Sequence, residues 1–427
     1  MEVKQVAVDD VNYRKDLYPR LDTNAVTVQK YAEDLSVLPP IEVNQHNELI
    51  DGWHRWTAHK KNKVDTIAVM VTPTGSDAEL LELAIERNAK HGMQLSQEDK
   101  QSVARKIYHV TPEKGRVEKK KRLAQILSVD ASTVNRWLSR IDKDAKEARN
   151  KRIFDRWLAC YTQQEIAEAE AVSQKTVADV LAEIGNCEKL LKSTDRQFRA
   201  YAYHTMDFNP PIYNVWKFKE KSPGSKHFGN TEPTILDNLT YLYTDPFDIV
   251  FDPFGGGGST IDVCKKRFRR YWIADRIVTP EMEGKIREHD IASGLPSLRW
   301  KDVRLAYLDP PYWKQAEKKY SEDAADLANM SLEDFNKALS GLIQGLAKKM
   351  SAGHIALIIQ PTQWNAPEHG YTDHVADMMK AVRLPVAMRV SCPYESQQCN
   401  AQMVDWAKDN KQLLVLTREL IIWKVGE

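Results

Sequence analysis

The sequence predicts an α/β protein: a C-terminal, mostly parallel sheet with crossover helices, preceded by a small α+β module and a helical region. Three observations carry this. Short apolar runs alternate with helical stretches from 231 to 427. The first hundred or so residues mix strand and helix patterns. Residues from about 101 to 195 are poor in Gly and rich in Ala, Glu, Lys, Arg and Leu. A chain of 427 residues accommodates about two to four domains. We divide it into 1–100, 101–195, 196–230 and 231–427.

Each segment has its own signature. In 1–100, residues 41–44 and 66–71 have the β-branched, apolar character of strands. Leu80, Leu81, Leu83, Ala84 and Ile85 give 77–88 helical spacing. In 101–195 two stretches look alike, 123–138 and 164–181. Each reads as a short helix, a turn, and a second helix opened by a Ser. Pro210-Pro211 and Ser222-Pro223-Gly224-Ser225 make 196–230 loop-like, a linker or entry loop. In 231–427, runs at 249–251, 271–274, 305–308, 354–359 and 420–423 read as strands.

Composition narrows the class. Lys plus Arg (61) nearly equals Asp plus Glu (60), so the whole chain is no general polyanion binder. Cations nevertheless crowd from Lys114 to Arg122 and again from Arg136 to Arg156, as a local DNA-facing surface requires. The five cysteines are odd in number and lack CxxC spacing, which argues for a reducing compartment and against a zinc ribbon or disulfide framework; no metal is expected. The polar N-terminus is not expected to act as a signal peptide, and no run approaches 18 apolar residues. The expected setting is a bacterial, or phage-infected, cytoplasm.

The chemistry concentrates in 251–312. Asp252-Pro253-Phe254-Gly255-Gly256-Gly257-Gly258-Ser259-Thr260 follows a strand and opens a helix. Such a loop lets backbone N–H groups approach a ligand at a helix N-terminus. It lacks the Gly-Lys-Ser/Thr ending of a P-loop. Asp275 ends the next strand, where an acid accepts hydrogen bonds from ribose hydroxyls. Asp290-Ile291 is expected in a loop before the third strand, and Asp309-Pro310-Pro311-Tyr312 at the end of the fourth. Ligands bind at the carboxyl ends of such strands, so these loops should converge.

In this order the motifs resemble the DNA amino methyltransferases that act on adenine N6 or cytosine N4, over about 205–427. Residues 227–234 are similar to the segment preceding that family's cofactor loop. The resemblance implies a Rossmann-like class I methyltransferase sheet and S-adenosylmethionine as cofactor. Thr231, Asp252, Pro253, Phe254, Gly255, Gly256, Gly257, Ser259, Thr260, Asp275, Asp290 and Ile291 would hold it. Asp309, Pro310, Pro311 and Tyr312 would form the catalytic motif. An exocyclic amine is a poor nucleophile because its lone pair is delocalised. The Asp309 carboxylate and the Pro310 carbonyl would accept its hydrogens and build density on nitrogen. Tyr312, with Trp313 beside it, would stack on a base flipped from the duplex. Asp rather than Ser at 309 resembles the adenine-modifying members; cytosine N4 stays open. Residues 314–326 are read as a loop over the DNA or an ordinary surface loop, and 391–402, with Gln397, Gln398 and Asn400, as a candidate base-pocket wall.

In the N-terminal half, Gly52, His54 and Arg55 follow a strand and enter a helix, an arrangement that suits a phosphate. The stretch resembles the ParB/sulfiredoxin-like domain, which implies a nucleotide site there. Glu86-Arg87-Asn88 resembles part of a second motif of that family, whose remainder has no match here. Trp53 and Trp56 also fit as core packing. In the ParB family a helix-turn-helix follows, the place held here by 123–138. Double-stranded DNA is the expected partner, read by Ser132, Thr133, Asn135 and Arg136 on the first element and by Lys175 and Thr176 on the second. A homodimer is left open. The competing reading is a ParB-like, nucleotide-gated DNA-binding regulator with an inactive methyltransferase fold; the intact 252–260 loop and Asp309–Tyr312 motif oppose it. A restriction nuclease lacks a defensible Asp…Glu-x-Lys cluster. No large insertion separates Asp290 from Asp309, so sequence choice is expected from the helical region.

Overall fold

The computed structural model describes residues 3–90, 95–109, 111–184, 196–218, 231–314, 322–363, 371–394 and 401–426. They form two compact units, Met1–Ala148 and Arg149–Glu427.

In the first unit, β1 (Val3–Ala7), β2 (Ile41–Val43), β3 (Leu49–Asp51) and β4 (Thr66–Val71) form a sheet of order β1-β4-β2-β3. Only the β2–β4 pair is parallel. Ile41, Val43, Ile67 and Val69 close a core with Tyr18 and Trp56, whose indole N–H donates to the Val8 carbonyl at 2.9 Å. Trp53 stacks on Tyr13, 4.5 Å between ring centres. Both tryptophans therefore pack the domain.

The two look-alike stretches share one backbone design. The helices Arg116–Ile126 and Gln163–Ala169 each end in a turn with one non-glycine residue at positive φ, Ser128 (49°) and Ala171 (52°). The next N–H then reaches back in the same way, Val129 to Ala124 at 3.1 Å and Val172 to Ala167 at 3.0 Å. Each turn leads into a second helix, Ala131–Leu158 or Gln174–Ile184. Val134 and Leu138 are buried in the first and Val177 and Leu181 in the second. The apolar stripe fixes which face of each second helix is left to solvent.

The second unit is built on β5 (Ile249–Asp252), β6 (Arg270–Asp275), β7 (Arg287–Glu288), β8 (Val303–Leu308), β9 (Gly353–Ile359), β12 (Val386–Pro393) and β13 (Thr417–Val425), in the order β12-β13-β9-β8-β5-β6-β7. A separate two-stranded ribbon pairs β10 (Thr362–Gln363) with β11 (Tyr371–Thr372). Strands β5 to β9 are parallel, and β13 enters antiparallel between β9 and β12. The chain starts at β5, moves outward to β6 and β7, then returns to β8 on the other side. That reversal is the switch point at which such sheets open a crevice.

Strand alternation splits the core in two. Val250, Ile273, Leu305 and Ile358 face the helices Pro233–Tyr243 and Ser259–Lys266. Phe251, Trp272, Ala306 and Leu357 face the helices Leu332–Lys349 and His374–Ala381. This is a doubly wound α/β layer structure.

Several features differ from the sequence reading. The described part of 196–230 is no free loop: it carries the helix Arg196–Ala202, and His204 and Trp216 are buried. The third strand, β7, precedes Asp290 rather than following it; two residues long, it has no apolar run to announce it. Strand β12 was not read, because its first four residues are exposed and its sequence is mixed.

A buried polar cluster ties 196–207 to the helices Pro233–Tyr243 and Ser259–Lys266. Arg267, fully buried, donates to both carboxylate oxygens of Asp237 at 2.6 and 2.7 Å and to Asp207 at 2.7 Å. Burial would raise the Asp237 carboxyl, but the Arg267 and His204 hydrogen bonds outweigh it and hold it well below the ordinary carboxylate range. Removing one partner strands the other's charge. Arg267→Met should therefore destabilise this unit by roughly 3–5 kcal/mol in chemical denaturation; a loss under about 1 kcal/mol would contradict the assignment.

Candidate active site

Strand β5 ends in Asp252, which is almost completely buried. The Thr260 hydroxyl donates to its Oδ2 at 2.6 Å and the Phe254 N–H to its Oδ1 at 3.0 Å. These two bonds fold the glycine loop back over the strand end. The Gly255 N–H donates to the Ala274 carbonyl at 2.8 Å; a Cβ there would overlap Ile273. Gly258 sits at φ +78° before the helix, where a Cβ would lie 2.8 Å from the Met282 sulfur. Only glycine meets both demands at low cost. The Gly256 N–H donates to Asp275 Oδ2 at 2.8 Å, so the loop is laid against the end of β6.

Beside this loop lies a cavity of about 720 Å³. Every cofactor-side residue named from the sequence, Thr231 through Ile291, lines it, as do Asp309 and Pro311. Pro310 is buried beneath, and Tyr312 is half-buried with its hydroxyl donating to Asp309 Oδ1 at 3.3 Å. Trp313, a candidate stacking partner, is instead buried in the core, its indole N–H donating to the Met330 carbonyl at 3.0 Å. Asp290 accepts from the Ala292 N–H at 2.9 Å and pairs with Arg276 at 3.3 Å; Arg276 also pairs with Asp323.

Sequence reasoning missed part of the wall. Ala338, Gly341, Leu342 and Gly345 face the cavity from the helix Leu332–Lys349. Their spacing marks one helical face, but small apolar residues carry no chemical signature. Arg276, next to the acid that ends β6, was the more readable omission.

Asp309 follows β8 and lines the cavity, with its side chain partly exposed. Burial pushes its carboxyl up to about 6, against the Thr231 hydroxyl hydrogen bond and the Arg418 charge, which lower it. Arg418, on β13, is itself buried and donates to Glu232 at 2.7 Å, to Thr231 Oγ1 at 3.5 Å and to the Cys392 carbonyl at 3.4 Å. Its guanidinium lies 4.3 Å from the Tyr394 ring centre, and the Tyr394 hydroxyl donates to Gln360 Oε1 at 3.3 Å. Glu232 and Tyr394 fall within the segments 227–234 and 391–402 that the sequence marks, though neither stands out singly; Arg418 and Gln360 are not marked at all. They are far apart in the chain, and an Arg or Glu is by default a surface residue.

The remaining candidates lie elsewhere. In the first unit, Ser132, Asn135 and Arg136 are exposed and Thr133 partly so, all at the start of the helix Ala131–Leu158. In the second, Lys175 is exposed and Thr176 partly so; the Thr176 N–H is capped by Ser173 Oγ at 3.1 Å. Gly52 has φ +104°, where a Cβ would lie 2.6 Å from Ile41. His54 Nε2 accepts from the Asn24 N–H at 2.9 Å, and burial, then the Arg20 charge, lowers its pKa. Arg55 donates to Asp51 at 2.6 Å and to the carbonyls of Pro39 and Pro40 at 3.0 and 2.7 Å. Both side chains are thus engaged within their own unit. Residues 227–230, Lys318, Lys319, Gln397, Gln398 and Asn400 lie outside the described residues. Among the described residues no group of His, Cys, Asp or Glu is arranged to hold a metal ion, and no helix is long and apolar enough to cross a membrane.

No family model and no curated protein matches the chain. Among solved structures, a Pnob8-like ParB N-domain is similar at 16% identity and a TM-score of 0.27, over 46% of this chain and 87% of that one. The C-terminally truncated chromosome-partitioning protein ParB of Caulobacter crescentus, complexed to the centromeric parS site, is similar at 18% and 0.23, over 44% and 89%. An antibiotic-related methyltransferase is similar at 10% and 0.24, over 46% and 96%.

The buried Asp252 makes one prediction. Burial pushes its carboxyl from 3.8 up to about 7, with the hydrogen bonds from Thr260 and the Phe254 N–H opposing. A raised acid stabilises the fold below its unfolded pKa, and that contribution is lost as pH rises through the folded value. Asp252→Asn, which mimics the protonated form, should be comparable to the wild type near pH 4 and gain on it steadily towards pH 8, read as denaturation midpoints. A difference independent of pH would contradict the assignment.

Proposed function

We propose that the chain is an S-adenosylmethionine-dependent DNA methyltransferase acting on the exocyclic N6 of adenine. The observation that carries this reading is that the glycine loop, Asp275, Asp290 and Asp309 all open into one cavity. Its volume lies within the roughly 300–1,000 Å³ of small-molecule sites.

The residues present fit the cofactor. Asp275 accepts one N–H on each oxygen, from Gly256 and Ile277. A carboxylate has about four acceptor positions, which leaves lone pairs for ribose hydroxyls. Asp290 and Ile291, with the apolar faces of Leu295 and Leu342, suit an adenine ring. The glycine loop leaves backbone surface bare for a close approach. When bound, S-adenosylmethionine supplies a sulfonium methyl, whose transfer forms an N–CH₃ bond while the C–S pair stays on sulfur.

The protein's part is positioning and electrostatics. Asp309 accepts a hydrogen bond from the amine, draws electron density onto its nitrogen, and takes the surplus proton after transfer. The Pro310 carbonyl accepts the second amine hydrogen. Tyr312, steadied through its hydroxyl by Asp309, offers a ring face to a flipped base. The exposed Ser132, Asn135 and Arg136 and, on the second element, Lys175 with Thr176 supply duplex contacts at the starts of two helices.

Incubation with labelled S-adenosylmethionine and duplex DNA, then digestion to nucleosides, tests this. N6-methyladenine is expected. N4-methylcytosine would correct the base alone, and no transfer with no cofactor binding would overturn the proposal. Asp309→Ala should lower transfer by roughly 10²-fold or more while cofactor affinity holds. Arg136→Ala and Lys175→Ala should each weaken DNA binding and flatten its dependence on log salt by about 0.9 for each phosphate no longer neutralised.

A further inference from the structure

We propose that Arg418 is a positioning residue for Asp309: paired with Glu232, it holds the Thr231 hydroxyl against the Asp309 carboxylate and keeps that carboxylate anionic. The inference rests on the methyltransferase reading, in which Asp309 must accept a hydrogen from the amine. A protonated Asp309 would present its own O–H instead.

The geometry is specific. Arg418 opposes Cys392 on β12 and lies one residue before the Glu419–Ile359 pair with β9. It therefore stands at the carboxyl edge of β9, the edge at which Asp309 ends β8. Only 3% exposed, it must be paired to be tolerated. Its partner, Glu232, adjoins Thr231, the residue whose hydroxyl meets Asp309. Neither Arg418 nor Glu232 lines the cavity, so the pair acts through Thr231 and through its field rather than on the cofactor.

The charged and titratable groups around Asp309 make the sign clear. Glu232 precedes the helix Pro233–Tyr243, Asp252 ends β5, Tyr307 lies on β8, Tyr312 follows it, and Tyr394 follows β12. These are acids or phenols; among the described residues with a stated influence on Asp309, Arg418 is the cation. Burial already brings Asp309 to about 6. Loss of Arg418 raises it further and leaves much of the enzyme protonated at neutral pH. Loss of the Glu232 charge lowers it.

The test is the pH profile of methyl transfer by the full chain, alongside S-adenosylhomocysteine affinity by calorimetry. In Arg418→Met the acidic limb should move up by about one pH unit or more, with affinity within about twofold. Arg418→Lys should restore much of the shift. Glu232→Gln should move the limb down, and it decides the matter alone if Arg418→Met does not fold. A plain structural staple gives a different result: an even rate loss at every pH with an unmoved limb in Glu232→Gln, which would overturn the proposal. A wild type that neither binds S-adenosylhomocysteine nor transfers methyl would instead defeat the underlying reading.

Discussion

Two carboxylates end neighbouring parallel strands, Asp252 on β5 and Asp309 after β8, where water solvates neither well. Charge in such a place is tolerated only with donors aimed at it. Much of the surrounding structure supplies them. Thr260 and the Phe254 N–H serve Asp252, and in doing so bend the glycine loop over the sheet edge. Thr231, Tyr312 and the Arg418 charge serve Asp309, and bring β13 and the entry to the helix Pro233–Tyr243 to the same spot. One carboxylate shapes the loop, and the other is left facing the cavity beside it.

The sheet makes this juxtaposition unavoidable. Strand order reverses between β5 and β8, so the loops that follow them diverge and leave a crevice. Alternating side chains bury one helical layer on each face, which fixes the strand ends against rigid supports. A site carried on strand ends is held more precisely than one on free loops.

Much of this was legible in the sequence, for identifiable reasons. Apolar runs such as 354–359 announced the central strands, because strands buried on both faces have no polar side. The glycine loop and Asp309-Pro310-Pro311-Tyr312 were legible because each packs several unusual residues into a short span. What escaped was of two kinds. Strands β7 and β12 are too short or too exposed to show a pattern. The Arg418–Glu232 pair and the small-residue face of the helix Leu332–Lys349 are products of tertiary packing. Nothing around Arg418 separates it from an ordinary surface charge, and Glu232, though inside the 227–234 segment, shows no sign there of pairing with it. The look-alike helix pairs were visible as sequence; their shared positive-φ turns at Ser128 and Ala171 were not, since neither residue is glycine.

The proposed function requires the cavity beside the glycine loop to hold S-adenosylmethionine with its methyl directed at the amine that Asp309 would bind. A crystal structure of the full chain with sinefungin, a non-transferring analogue, tests it most directly. The account predicts the analogue in this cavity, its ribose at Asp275, its adenine by Asp290 and Ile291, and its amine-bearing carbon towards Asp309. An analogue bound away from the glycine loop, or with its reactive end turned from Asp309, would contradict the account.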